Sequence, residues 1–384
     1  MPRHGQVPYW RLSGFYLFYF ATLGAMLPYW SLYLRSIGFD AVEIGELVAI
    51  LVATKIVAPN VWGWIADHRG SRMGIIRLAC LLACIAFAGV LFASSFFWLA
   101  LVMVVFGFFW NAALPQIEAT TLTHLGDSVH AYTNIRVWGS IGFIVSVWAL
   151  GLIFDRYSVG LLPKFVVALM GLIWLASLLV PEEAVGHLPL SHEPLRSVLV
   201  RPQVLALLAV CFLMQASHGP YYAFYSIYLA DQGYSPTLIG KLWALGVLAE
   251  VGVFLAMYRL LRLWSLRTLL LTSLALATLR WLLIGFYVDS LLVLTVAQLL
   301  HAATFGVYHA VAIQLIHRYF VGRHQGRGQA LYSSVSFGAG LAVGSLVSGF
   351  TWASIGPEQT YAFAGGVSLA GFMVAWRWVR MEGT

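Results

Sequence analysis

Apolar runs of about 20 residues recur from one end of this chain to the other, and each is long enough to cross roughly 30 Å of hydrocarbon as a helix. In lipid every backbone N–H and C=O must find a partner within the protein, so a run of this kind has little choice but the helix. Twelve such runs can be counted over 384 residues, six in each half. Charged residues make up 10% and apolar residues 61%, with a mean hydropathy of +0.84; in an ordinary soluble domain about a quarter of residues are charged. We therefore expect an all-α integral membrane protein of twelve transmembrane helices in two six-helix bundles, residues 1–180 and 203–384, joined by a polar linker at 181–202.

The second half repeats the first. Sliding the chain by 195 positions sets Gly24 on Gly219, Ser31 on Ser226, Tyr33-Leu34 on Tyr228-Leu229, Gly38 on Gly233 and Ile44-Gly45 on Ile239-Gly240, with no gap. Leu47, Ala49 and Val52 fall on Leu242, Ala244 and Val247 in the same register, and at its end Lys55 falls opposite Glu250. A shared scaffold with different charges at matching depth is the plan of a transporter built from parallel repeats. The two bundles are thus expected to be pseudo-symmetric.

The net charge of +7 does not point to nucleic acid, because the basic residues are spread over short loops. Topology accounts for them. With the N-terminus inside, fifteen arginines from Arg3 to Arg380 fall on the inner side, and only Arg35, Arg156, Lys164 and Lys241 on the outer. The excess of positive charge inside places both termini in the cytoplasm. The first apolar run, from near Trp10, lacks a small-residue cleavage site and is expected to be a retained helix. Cys80, Cys84 and Cys211 lie in or near predicted helices without His or acidic partners, so they are expected to pack. His187, His192 and Glu193 in the linker fit no standard metal spacing and read as a solvated loop. No cofactor or metal is expected. The partners expected are a small-molecule substrate, protons and membrane lipid, with the chain acting as a monomer.

Helical spacing sets out the candidate site. On helix 1, Tyr16, Tyr19, Leu23 and Trp30 share a stripe that either packs or lines a substrate path. Asn111, Pro115 and Glu118 follow i, i+4, i+7 on helix 4, and Tyr132, Arg136, Gly139 and Phe143 share a stripe on helix 5. Helix 4 runs inward and helix 5 outward, so Glu118 and Arg136 come to one depth and can pair. Helix 7 carries Gln215, His218, Tyr222 and Tyr225 around a Gly219-Pro220 interruption; helix 8 centres on Glu250, helix 9 holds Arg280, and helix 10 presents Gln298, His301, Phe305 and Tyr308, with His309 adjacent.

Lys55, Glu118, Arg136, Glu250 and Arg280 are full charges within predicted spans. At about 2.5–3.5 kcal/mol each on insertion scales, they must face partners or water. Three cations against two anions leave one surplus positive charge, which a monocarboxylate would cancel. Exchanging a proton for a salt bridge is one way to couple proton entry to a change of conformation. Glu250, with Arg280 and His301 expected nearby, is the preferred proton carrier.

After helix 2 the chain reads Gly63-Trp-Ile-Ala-Asp67-His-Arg69-Gly70-Ser-Arg72. This resembles the signature loop of the major facilitator superfamily, G-x-x-x-D-[R/K]-x-G-x-[R/K], with His68 in place of the usual basic residue. In that family the loop latches the two halves on the cytoplasmic side, which marks Gly63, Asp67, Gly70 and Arg72 as a gating loop. The resemblance extends over the whole chain, and more closely to the phenylpropionate permease family, relatives of the oligosaccharide/proton symporters. It rests on Leu27-Pro-Tyr-Trp-Ser31, Arg136-Val-Trp-Gly139, Tyr221-Tyr222, Leu242 to Glu250, Arg280-Trp281, His301 to His309 and Gln329-Ala-Leu-Tyr-Ser333.

In the oligosaccharide branch, Asn111, Glu118 and Arg136 match the sugar-binding acid and arginine with their flanking motif, and Glu250, Arg280 and His301 match coupling positions. Two departures stand out. The tryptophan that stacks on sugar in that branch is Phe143 here, and the glutamate three positions after the helix-10 histidine is Thr304. The resemblance implies a proton-coupled symporter of the bacterial cytoplasmic (inner) membrane importing a small organic anion, an aromatic carboxylate. Tyr16, Tyr19, Lys55, Asn111, Glu118, Arg136, Phe143, His218 and Tyr222 are the candidate substrate-binding residues; Glu250, Arg280 and His301 are the candidates for proton coupling. A sugar or nucleoside symporter is the alternative within the class, and a non-transporting receptor a remote one. No nucleophile, metal set or cofactor motif points to an enzyme.

Overall fold

The structure, a computed structural model, describes residues 7–69, 71–182, 196–321 and 324–379. No strand is present among the described residues. Twelve long helices run in order: α1 Tyr9–Ser36, α2 Ala41–Arg69, α3 Arg72–Ala88, α4 Phe96–Leu125, α5 Tyr132–Arg156, α6 Leu162–Leu179, α7 Pro202–Asp231, α8 Pro236–Leu263, α9 Leu266–Phe286, α10 Leu291–Tyr319, α11 Gln325–Ile355 and α12 Pro357–Trp378. Ten of them are long and apolar enough to cross a membrane, and α2 and α12 pack among these. α7 is broken by a turn at His218, where Gly219-Pro220 restarts the helix. α10 and α11 each widen into a π-helical stretch, Ala302–Val307 and Ser334–Gly340.

The sequence repeat is also a repeat of contacts. Gly24 lets α1 lie against α5, where a Cβ would stand 2.6 Å from the Phe143 carbonyl oxygen; its counterpart Gly219 lets α7 lie against the Gly344 backbone of α11. Gly45 brings α2 onto Gly349 and Ser345 of α11, and Gly240 brings α8 onto Val147 of α5. The α1–α2 and α7–α8 turns are built alike. Gly38 and Gly233 take φ of +100° and +81°, a region that favours glycine. Phe39 N–H reaches back to the Leu34 carbonyl and Tyr234 N–H to that of Leu229, a helix ending that satisfies carbonyls otherwise left without donors.

At the end of the molecule bearing these two turns, the halves share one core. A single apolar cluster runs from α1 to α6 into α7, α8, α9 and α11 through Tyr29, Val147, Phe224, Tyr225 and Ile239. Polar ties accompany it. Tyr29 Oη donates to the carbonyls of Val147 (2.8 Å) and Pro236 (3.3 Å), Thr237 N–H donates to Asp155 Oδ1 at 3.2 Å, and Arg35 pairs with Asp231. At the end bearing Tyr9 and Trp378, the inner half of α7, α9, α10 and α12 has a core of its own. There the halves meet along α2 and α11, where Asn60 Nδ2 donates to Ser334 Oγ at 3.4 Å and Ser334 Oγ to the Ile56 carbonyl at 3.3 Å.

In the loop after α2, Gly70 lies outside the described residues, as do His187, His192 and Glu193. Glu182 caps the start of α3, accepting from the backbone N–H of Arg72 (2.9 Å) and Met73 (3.2 Å) and from Ser71 Oγ (3.0 Å). A carboxylate is favoured there by the exposed N–H groups of a helix N-terminus. His68 folds back onto Trp64, its Nδ1 2.8 Å from the Trp64 carbonyl.

Gly219→Ala is expected to lower the melting temperature in detergent, since overpacking of this kind costs about 1–3 kcal/mol. Gly171→Ala in α6, where nothing stands within 4 Å of the new Cβ, should leave it unchanged or raise it. Differential scanning fluorimetry of the two variants reads the contrast.

Candidate functional site

Between the halves lies a cavity of about 470 Å³, bounded by α1, α2, α4 and α5 on one side and α7, α8, α10 and α11 on the other. That is the size range of small-molecule sites, and like them it is mostly apolar with a few polar groups. Its aromatic wall in the second half is built on α7 and α8. The Tyr221 and Trp243 rings lie 4.6 Å apart, Tyr221 Oη donates to Gln298 Oε1 at 3.0 Å, and Trp243 Nε1 donates to Ser226 Oγ at 3.0 Å. On the opposite side Trp110 of α4 is stacked on Tyr19 at 4.2 Å and 6°.

Five candidate binding residues, Lys55, Asn111, Arg136, Phe143 and Tyr222, line this cavity, as do Glu250 and His301. Glu118 stands behind Arg136, with 3.9 Å between Glu118 Oε1 and Arg136 Nε, and accepts from Tyr132 Oη at 3.4 Å. The Arg136 guanidinium lies over the Phe20 ring at 3.9 Å. Gly139, one turn on, clears its way: a Cβ there would stand 2.8 Å from Arg136 Nη1 and from Phe20. Arg136 and Glu250 line the cavity from opposite halves. Asn111 spends both amide hydrogens within the first half, on Thr54 Oγ1 (2.8 Å) and the Gly107 carbonyl (2.9 Å).

Glu250 Oε2 is 3.7 Å from His301 Nε2, and on its other side the ring meets Arg280, whose Nη1 is 3.1 Å from Nδ1. Arginine has no lone pair to offer, so Nδ1 is the acceptor and the ring proton sits on Nε2, toward Glu250. His301 is thereby held neutral. The π-helical stretch that follows turns His301, Phe305 and His309 onto one face, their rings stacked at 5.3 and 6.2 Å; such wide turns are frequent at functional sites.

Four of the expected positions lie behind the wall. Tyr16 and Tyr19, 0% and 3% exposed, pack inside the first bundle, Tyr16 with its hydroxyl on Thr121 Oγ1 at 3.2 Å; of the α1 stripe only Leu23 and Trp30 reach the cavity. His218, 0% exposed, holds the Met214 carbonyl through Nδ1 at 2.7 Å and abuts Trp281. Arg280, also 0% exposed, faces neither water nor an acid among the described residues. It donates to the Ala297 carbonyl (2.9 Å) and Thr304 Oγ1 (3.2 Å), and its guanidinium lies over the rings of Tyr221 (4.3 Å) and Trp281 (4.7 Å). Arg280 thus meets the expectation that intramembrane charges face partners or water, but with no opposite charge among the described residues. Four neutral acceptors and two ring faces disperse its charge instead. Trp110 lines the cavity although the sequence reading passed over it. It lies one turn after Phe106 and one before Leu114, on a stripe displaced by one residue from the Asn111–Glu118 stripe.

A family model described as "MFS_1 like family" matches residues 9–363. The chain belongs to that family. It is a major facilitator transporter of a small molecule, a multi-pass membrane protein and not an enzyme. It is 32% identical over 361 residues to a probable 3-phenylpropionic acid transporter of Escherichia coli (strain K12), covering 90% of this chain and 92% of that one. It is 27% identical over 346 residues to a maltose permease of Geobacillus stearothermophilus, covering 88% and 86%. In fold it is similar to the crystal structure of a mutant of the nucleoside transporter NupG, with a TM-score of 0.87 at 16% identity over 97% of this chain and 99% of that one.

Arg280→Met strands the Ala297 carbonyl and His301 Nδ1, each such buried group costing about 1–3 kcal/mol. Its melting temperature is expected to fall well below wild type. Lys55→Met, which removes a charge with no partner among the described residues, is expected to melt no lower than wild type in the same assay.

Proposed function

We propose that the chain is a proton-coupled symporter importing a small organic anion, an aromatic carboxylate, by alternating access. The observation that carries this reading is the setting of Glu250. It is an acid on the cavity wall, 3.7 Å from a histidine that is held neutral, in a cavity to which the other half contributes the cation Arg136.

With Lys55, Arg136, Glu118 and Glu250 ionised, the cavity carries no net charge. A proton on Glu250 leaves one positive charge in the cavity, which a monocarboxylate cancels. Anion and proton therefore favour each other's binding, and by linkage the effect is reciprocal. Arg280 stands outside this count, walled into the second bundle. The apolar body of the substrate rests on the aromatic wall of Tyr221, Tyr222 and Trp243, and Phe143 faces the cavity where the oligosaccharide branch has its sugar-stacking tryptophan.

The moving bodies are residues 1–180 and 203–384, with 181–202 as linker and Gly63, Asp67, Gly70 and Arg72 as the latch between them. The distribution of arginines supports cytoplasmic termini, so the end at which the halves have separate cores faces the cytoplasm. The protein works as a monomer in the lipid of the bacterial inner membrane.

Purified protein in liposomes with an imposed inward proton gradient is expected to accumulate 3-phenylpropionate, with little competition from maltose or uridine. Glu250→Gln should abolish accumulation driven by the gradient. Uptake of uridine or maltose in place of the acid, or unchanged gradient-driven uptake by Glu250→Gln, would each overturn the reading.

A further inference from the structure

Two full cations line the cavity, Lys55 and Arg136, and they are not equivalent. Arg136 stands beside an acid. Its Nε is 3.9 Å from Glu118 Oε1, its plane rests on Phe20, and Gly139 shapes the channel in which its side chain lies. Lys55, half-buried on α2, has no hydrogen bond and no acidic partner among the described residues. The polar neighbour on α4, Asn111, has spent both its amide hydrogens. A carboxylate entering the cavity therefore finds in Lys55 a cation with no acid beside it among the described residues, whereas at Arg136 it meets a cation that already stands against Glu118.

The backbone around Lys55 is held firmly enough to serve as an anchor. The next residue, Ile56, lies in the notch left by Gly338 of α11, where a Cβ would stand 2.7 Å from its side chain. Its carbonyl accepts from Ser334 Oγ at 3.3 Å, which in turn accepts from Asn60 at 3.4 Å. Lys55 thus sits where α2 meets the π-helical stretch of α11, whereas Arg136 and Glu250 are on α5 and α8, which pack against each other.

From this geometry we infer that Lys55, and not Arg136, is the residue that holds the substrate's carboxylate, on the α2–α11 seam and not on the α5–α8 seam that carries Arg136 and Glu250. The inference rests on the organic-anion reading above and deepens it. A carboxylate on Lys55 does not compete with Glu118 or Glu250 for Arg136, so the anion and the proton occupy opposite seams of one cavity.

The test compares acids with their uncharged amides. Benzoate, 3-phenylpropionate and hexanoate, each beside its amide, are titrated against the purified full chain in detergent by tryptophan fluorescence. Wild type is expected to prefer at least one acid over its amide by about tenfold or more, as charge-assisted hydrogen bonds allow. Lys55→Gln should bring that ratio close to one, Lys55→Arg should retain it, and the double variant Glu118→Gln with Arg136→Gln should retain it too.

A Lys55→Gln protein that keeps the tenfold preference overturns the inference and leaves the organic-anion reading standing. So does a double variant that loses the preference, or a Lys55→Arg protein that, like Lys55→Gln, binds neither acid nor amide. A wild-type protein that shows no preference for any acid removes the organic-anion reading itself, and the inference with it.

Discussion

A full charge in hydrocarbon costs several kcal/mol unless something answers it, and the interior of this transporter is arranged around five of them. Each is answered differently. Arg280 is dispersed over neutral acceptors and the faces of Tyr221 and Trp281, Glu118 and Arg136 stand against each other, and Glu250 faces a histidine that cannot take a second proton while Arg280 holds it. Lys55 lines the cavity with no partner among the described residues. The buried arginine therefore does two things at once: it closes the wall behind His301, and it fixes which nitrogen of that ring looks at Glu250.

The repeat explains why so much of this can be built from one plan. Gly24 and Gly219 do the same job within each half, and Gly45 and Gly240 do the same job between halves, each bringing a backbone to within reach of a neighbouring helix. Symmetry ends where function begins. At the matching depth Lys55 and Glu250 carry opposite charges, and Thr304 accepts from Arg280 where the oligosaccharide branch has a glutamate.

The helical spans were legible in the residues, because hydrocarbon imposes a helix length, and so were the close helix contacts that the glycine repeat marks. The Glu118–Arg136 pair was legible for the same reason, since antiparallel helices bring fixed positions to one level. Which buried face of a helix meets the cavity was not. α1 is buried on nearly every side, and a helix buried all round carries no amphipathic contrast to separate a packed Tyr19 from a cavity-lining Trp30. Arg280 and His218 were misplaced on similar grounds: an ionisable residue in a span announces its depth, while the direction it points depends on partners from other helices. The side chains of the signature loop and linker offer no comparison, since Gly70 and most of 181–202 fall outside the described residues.

Where the two halves touch at the end bearing Gly38 and Gly233, much of the contact is bare main chain: Gly45 on Gly349, Gly240 on Val147 and Gly151 on Thr237. Such surfaces do not interlock. Tyr29 is the exception: when the halves part, its Oη must give up the Pro236 carbonyl and its ring must leave the shared core. The exposed Arg35–Asp231 pair adds little to hold them, since ion pairs in water are worth about 0–1 kcal/mol. A joint of flat main chain pinned by an aromatic peg opens by drawing that peg and shuts by seating it again.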